Sequence, residues 1–209
     1  SITAVNDAPV FSAGATLTAV NEDSTDPAGQ TISALLAASF TDVDSGDTFA
    51  GIVIVADAAD PTTEGDWQYS TDGGSNWYGV SDSTVSTTSG LLLNATSLIR
   101  FVPVTDFNGI PGSLTVHAVD DSAATIFTNG ASRQTFDTTI DDASSQVSGA
   151  GVVLDTSITA VNDAPVFDSS AITAASEDSL YTYDISTSDI DGSDTLTITA
   201  PTKPAWLTL

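Results

Sequence analysis

The chain has 209 residues, of which 28 are acidic and only 3 basic (Arg100, Arg133 and Lys203), giving a formal charge of −25. So few cations exclude a grip on nucleic-acid phosphates or on anionic membrane surfaces. The absence of cysteine excludes disulfides and thiol chemistry. Most carboxylates must therefore meet water, backbone N–H groups or metal cations. A charge of this size favours disorder, but 41% hydrophobic content, with three Trp, eight Phe and four Tyr, can supply a core. The expectation is a folded chain. No apolar run approaches the ~20 residues of a membrane span. No signal peptide opens the sequence, which starts and stops mid-pattern and reads as a piece of something longer.

Taken in chain order, Thr16–Val20 alternates apolar and polar residues with the period of two expected of a half-buried strand. Thr31–Phe40 keeps no clean period and is compatible with a short helical turn. Ile52–Val55 reads as a strand. Trp67 and Tyr69 share one face of the next strand by alternation. Ser70-x-Asp72-x-Gly74-x-x-Trp77 then matches the Asp-box pattern known from sialidase propellers. Its physical content is a hairpin in which the Asp caps backbone N–H groups and the glycines permit positive φ. Leu98–Val104 and Leu114–Val119 are further strands, the latter carrying His117, the one histidine, on the face opposite Val116. Asp121–Ala150, rich in Asp, Ser, Ala and Thr, reads as an elaborated loop and hairpin before a last strand at Val152–Val161. Many short strands without a 3.6-residue period imply an all-β sandwich.

Internal identity organises these elements. Ser1–Phe11 recurs letter for letter as Ser157–Phe167. Asn21–Ser24 is then answered by Ser176–Ser179, and Asp42-Val-Asp44-Ser-Gly-Asp47 by Asp189-Ile-Asp191-Gly-Ser-Asp194. This is a tandem array: a short stretch from a preceding repeat (1–8), an elaborated repeat (9–157), a linker (158–165) stiffened by its Pro, and the opening part of a second repeat (166–209).

The recurring acidic clusters suit calcium, which takes six to eight oxygen ligands. No single segment supplies so many, whereas converging loops at a junction between two sandwiches can. In a turn after a strand, an Asp-x-Asp directs two carboxylates towards one point, so the Asp42/Asp44 and Asp189/Asp191 pairs are candidates. The alternative is that these are solvated turns.

The linker AVNDAPVF resembles the cadherin inter-repeat linker, and the Asp-x-Asp pair, the early Glu and LTVHAVD (Leu114–Asp120) resemble further cadherin calcium motifs. More narrowly, the VNDAPV joints and the Phe101–Gly109 segment are similar to the bacterial cadherin-like tandem repeats of large secreted RTX-type adhesins. The second unit, with Tyr181, Tyr183, the Asp189/Asp191 pair and Pro204–Leu207, resembles the dystroglycan-type subgroup. The resemblance implies an immunoglobulin/cadherin-like Greek-key β-sandwich in tandem. At the internal junction it implies calcium ligands from Glu22, with Asp106 and Asn108 beside it, from Asn162 and Asp163 of the linker, and from Asp189 and Asp191 of the second unit. At the upper end it implies Asn6, Asp7, Asp42, Asp44 and Asp120. Glu177 and Asp178 would serve a following junction. Ala160 stands where the family's first linker Asp belongs, so one or two ions per junction are expected, bound in the weak extracellular range of ~10⁻⁴–10⁻³ M.

The implied function is structural. Calcium stiffens inter-repeat joints of an adhesin at a secreted, bacterial cell-surface location, whose partners are calcium ions, neighbouring repeats of the same chain and surface glycans or proteins. The other class considered is a carbohydrate-binding module that stacks sugars on Trp67, Tyr69, Trp77 and Tyr78, with core packing the simpler use of these rings and of Trp206. His117 is expected on the surface of its strand. With one histidine and no cysteine, zinc has no ligand set. No P-loop, dinucleotide fingerprint or HExxH motif occurs, and the expectation is a protein without enzymatic activity.

Overall fold

The computed structural model describes residues 5–140, 144–192, 194–205 and 208–209; Trp206, expected as a core anchor, lies outside them. The chain divides into two compact units, Ser1–Ala160 and Val161–Leu209. The division falls inside the stretch that the sequence marks as a linker. In unit 1 the elements in chain order are β1 (Val10–Phe11), β2 (Ala15–Thr16), β3 (Val20–Asn21), β4 (Gln30–Thr31), α1 (Ile32–Leu36), β5 (Phe40–Thr41), β6 (Phe49–Asp57), β7 (Gly65–Ser70), β8 (Tyr78–Gly79), β9 (Gly90–Asn94), β10 (Leu98–Pro103), β11 (Leu114–Asp120), β12 (Thr135–Phe136), β13 (Val152–Asp155) and β14 (Ile158–Thr159). The protein is all-β apart from α1 and a 3-10 turn at Ala37–Ser39. Thr31 caps α1 by accepting the Ala34 N–H at 3.2 Å, which settles the ambiguous Thr31–Phe40 stretch. Among the described residues no helix is long and apolar enough to cross a membrane.

Two sheets carry unit 1. One has the order β4-β10-β7-β8, the other β12-β9-β6-β11-β13-β2. Alternation sends Trp67, Tyr69, Ile99 and Phe101 from the first, and Ile52, Ile54, Leu91, Leu93, Leu114 and Val116 from the second, into one shared core. That core is what a two-layer β domain needs in order to bury an apolar face of each sheet. Edge-to-face packing of Trp67 on Phe101, 5.3 Å between centroids, closes its centre.

The strand from Thr16 to Val20 and the strand from Val152 to Val161 are each broken in the middle. β2 pairs with β13 and β3 with β14, both in parallel, and Leu17 turns inward between the two pairs. The Leu17, Val20 and Glu22 N–H groups donate in turn to the Asp155, Ser157 and Thr159 carbonyls at 2.8, 3.1 and 3.0 Å. The two segments therefore run side by side despite the interruption.

The expected half-buried alternation fails in the six-stranded sheet. β6 and β11 are buried on both faces, because the excursion between β11 and β13 folds back over the outer one. Val53, Val55, Leu92, Val119 and Val147 form a second apolar cluster beneath Phe127 and Phe136. Gly51 is required by its neighbour β9 and by this cover together: a Cβ there would lie 2.2 Å from the Leu93 carbonyl oxygen and 2.7 Å from the Phe127 ring. Arg133, on the excursion, clamps the other sheet by donating to the Gly79 and Val80 carbonyls, both at 2.9 Å.

Unit 2 is sparser. β15 (Val166–Phe167) pairs antiparallel with β16 (Thr187–Ser188), and the Tyr183 and Ser169 hydroxyls meet at 2.8 Å.

The second cluster generates a clear expectation. Leu92→Ala, on the outward face of β9, should destabilise unit 1 by about 2–5 kcal/mol, as buried Leu truncations do. Val153→Ala, at an exposed position of β13, should stay within about 0.5 kcal/mol. Denaturant unfolding of both variants measures the contrast, and equal small effects would mean that the outer face is not a core.

Candidate metal centre

β5, paired with β1, delivers Asp42 into a tight loop, and the same pairing brings the 5–9 stretch alongside. Asp42 Oδ1 accepts the Asp44 N–H at 2.8 Å, Asp44 Oδ2 accepts the Asp7 N–H at 2.5 Å, and the Asp47 N–H reaches back to the Asp44 carbonyl at 3.4 Å. This wiring uses one oxygen of Asp42 and turns the other, Oδ2, into the protein, where it is buried without a hydrogen-bond partner. From the other side comes Asp120, the last residue of β11. It is fully buried. Its Oδ1 accepts both the N–H and the hydroxyl of Ser122, at 2.9 and 2.5 Å, and its Oδ2 too is buried without a partner.

Asp42, Asp47 and Asp120 each offer one carboxylate oxygen, all within 4.8 Å of one another. A buried acceptor without a donor costs on the order of 1–3 kcal/mol, and more when charged; two residues of this cluster carry one. Burial, and then the nearby carboxylates of Asp120, Asp42, Asp44 and Asp121, push the Asp47 carboxyl above its ordinary range. All-oxygen, anionic and partly buried, the donor set fits a hard divalent cation.

The sequence named Asp42 and Asp120 for this site but not Asp47, although the Asp-x-Asp-x-x-Asp spacing marks it. Asp44 and Asp7 instead bond to each other beside the cluster. Asn6 Nδ2 donates to the Asp7 carbonyl at 3.1 Å and to the Ser144 and Ser145 carbonyls at 3.4 and 3.3 Å.

Unit 2 repeats the wiring within itself. The Asp191 N–H donates to Asp189 Oδ1 at 3.1 Å, the Asp163 N–H to Asp191 Oδ2 at 2.6 Å, Asn162 Nδ2 to the Asp163 carbonyl at 2.7 Å, and the Asp194 N–H to the Asp191 carbonyl at 3.0 Å. Asp189, Asp191 and Asp194 gather to within 4.8 Å. Even the left-handed Asp recurs, at φ 63° for both Asp23 and Asp178.

The remaining candidates of unit 1 lie beyond the other end of β11. Glu22 is 3% exposed, and its Oε2 accepts Asn108 Nδ2 at 2.9 Å. Asp106 is held left-handed at φ 62° and donates its N–H to Asp23 Oδ1 at 3.1 Å. Reciprocal bonds between Gly109 and Ile158, at 3.0 and 2.7 Å, fix this loop. Asp23 is an addition to the expected set.

The other tempting residues resolve into structure. Trp67 and Tyr69 are wholly buried and bonded to the Gly112 and Gly130 carbonyls at 2.8 and 3.1 Å, so neither is open to a sugar. Arg100 covers one face of the half-buried Trp77 at 3.9 Å. It also forms a salt bridge with Asp26 at 2.6 Å. His117 is not the surface residue expected. It is 8% exposed, because the excursion covers its face, and its Nδ1 lies 2.6 Å from the Ser148 carbonyl oxygen.

The Asp-box is a hairpin tip. Asp72 receives the Asn76 side-chain amide at 2.6 Å, the Asn76 N–H at 2.9 Å and the Ser70 hydroxyl at 2.8 Å, around Gly73 and Gly74 at φ 75° and 91°. Asn76 above all, then Ser70, lowers the Asp72 carboxyl to about 2. No protein-family model, curated protein or solved structure matches the chain.

The Asp72 hairpin sets a pH-dependent expectation. A carboxyl depressed from 3.8 to about 2 stabilises the fold above 3.8, and that contribution is lost as the pH falls from there to about 2. An NMR titration should place the Asp72 midpoint near the lower value and show Asn76→Ala returning it towards the ordinary one. An unchanged midpoint in the variant would remove Asn76 as the cause.

Proposed function

We propose that the chain is part of a tandem array of immunoglobulin/cadherin-like Greek-key sandwiches from a secreted bacterial surface adhesin, in which calcium stiffens the repeats and the joints between them. The observation that carries this reading is the convergence of Asp42, Asp47 and Asp120, two of which, Asp42 and Asp120, each keep a buried oxygen without a hydrogen-bond partner. The recurrence of the same loop wiring in unit 2 supports a device repeated along an array rather than one accidental acidic turn. The charge of −25 with three bases supports it as well, since an ion held by these carboxylates relieves repulsion that no basic side chain can offset. Without disulfides, cation binding is also a means of stabilising a domain outside the cell by mass action.

In this reading the Asp42–Asp47 loop and Asp120 hold an ion at one end of a repeat. Asp23, Asp106 and Asn108, with the buried Glu22 behind them, form the polar face offered to a neighbour at the other. Carboxylates that repel one another without the ion are drawn together with it, so a flexible string becomes a rod. The array extends a distal binding domain towards its target, a surface glycan or protein.

Thermal unfolding of the chain in chelator and in calcium, with magnesium as control, tests the proposal. If the dissociation constant lies near 10⁻⁴ M, ~10 mM calcium adds about 2.7 kcal/mol, which is roughly 5–10 °C for a chain of this size. Asp120→Asn should abolish most of that rise, and Asp189→Ala should lower the number of ions bound in a calcium titration. A flat, unselective response would leave the clusters as solvated turns and overturn the reading.

A further inference from the structure

We propose that occupation of the Asp42–Asp47–Asp120 cluster by a divalent cation locks the excursion between β11 and β13 onto the outer face of the six-stranded sheet, so that the cation governs whether the second apolar cluster is covered. The inference rests on the reading of that cluster as a cation site and adds what the site controls.

Its basis is where the excursion is rooted. The outgoing limb leaves the sheet at Asp120 itself. The returning limb is fastened to the same residue, the Asp120 N–H donating to the Gln146 carbonyl at 3.0 Å. Beside that bond the Thr125 hydroxyl of the outgoing limb donates to Gln146 Oε1 at 2.8 Å, and Val119 bridges to Val147. One residue further, Ser148 exchanges bonds with Ala118, its N–H donating at 3.0 Å and its Oγ accepting at 2.9 Å. The stretch before β1 joins in, because Asn6 reaches the Ser144 and Ser145 carbonyls. Asp120 therefore belongs to the acidic cluster and to the root of the cover at once.

The two faces of the sheet differ in this respect. The main core is shared between the two sheets. Among the described residues, the apolar groups packed on the outer cluster of Val53, Val55, Leu92 and Val119 are Phe127, Phe136 and Val147, all on the excursion. Three carboxylates within 4.8 Å repel when no cation sits among them. Asp120 is fully buried, so its carboxylate reaches water only if its surroundings open. The limbs of the excursion are the part of those surroundings that can lift without unmaking the main core. Local opening of this kind is drawn from the least stable unit of a fold. With a cation bound, the repulsion becomes attraction and the root closes.

Amide hydrogen exchange on the whole chain, in chelator and in ~10 mM calcium, reads this directly. Calcium should slow the amides that tie down the cover, those of Asp120, Thr128, Leu92 and Ser148, at least about tenfold more than the amides between β7 and β10. Asp47→Asn, which leaves buried Asp120 in place, should lose most of this selective slowing. Isothermal titration run in parallel separates the two ideas. Calcium binding with uniform slowing over both sheets, or with no slowing of the cover, overturns the inference and leaves the cation site standing. Absence of calcium binding overturns both.

Discussion

Loops in this protein are built from one small interaction, an Asp or Asn oxygen that accepts the backbone N–H two residues further on. It recurs at Asp60 with Thr62, Asn94 with Thr96, Asp137 with Thr139, Asp120 with Ser122, and Asp42 and Asp189 with the next Asp of their loops. A chain with 28 acids and 3 bases cannot rely on ion pairs, so its carboxylates take their donors from the local backbone. The device is self-sufficient where the second oxygen faces water, as at Asp60 and Asp137. It becomes insufficient where two such turns stand back to back. At Asp42 and Asp120 the same first oxygen is satisfied, but the second is turned inward. The difference between an ordinary acidic loop and the candidate cation site is the direction of one oxygen atom.

That distinction explains how much of the site was legible in the sequence. The duplicated Asn-Asp and Asp-x-Asp motifs marked the loops in which the acidic clusters gather, because their turn chemistry is local. Which member of each loop joins the cluster was not local. Asp44 spends its side chain on the Asp7 N–H, while Asp47, three residues on, replaces it among the converging oxygens. Asp120 could be named from its place at the end of a strand. Its burial depends on the excursion that follows, whose composition carries no period.

The fold was legible to a similar depth. Alternation marked β6, β10 and β11 and set Trp67 and Tyr69 on one face, but it passed over β9 with Leu91 and Leu93, and in β6 and β11 it assigned the second face to water. Nothing in Phe49–Asp57 states that Phe127 and Phe136 will lie over it; the covering groups arrive from about seventy residues further along the chain. Phe11 and Phe167 make the point more sharply, since they close identical eleven-residue stretches. Phe11 is 7% exposed in a unit with two sheets to pack against. Phe167 is 71% exposed in a unit with one short β pair among its described residues. Local sequence sets the strand, and burial waits for partners that the local sequence does not contain.

The parallel alignment of β2 with β13 and of β3 with β14 has a mechanical consequence. These segments lie near the entry and the exit of unit 1, and they run in the same direction. Tension applied at the two ends of the unit therefore drags them past each other along their length. The bonds from Leu17, Val20 and Glu22 to Asp155, Ser157 and Thr159 are loaded together rather than opened one after another, as they would be in a hairpin pulled from its open end. A domain wired in this way resists extension through its first and last strands, and its lifetime under load is set by the barrier to sliding, not by the depth of its core.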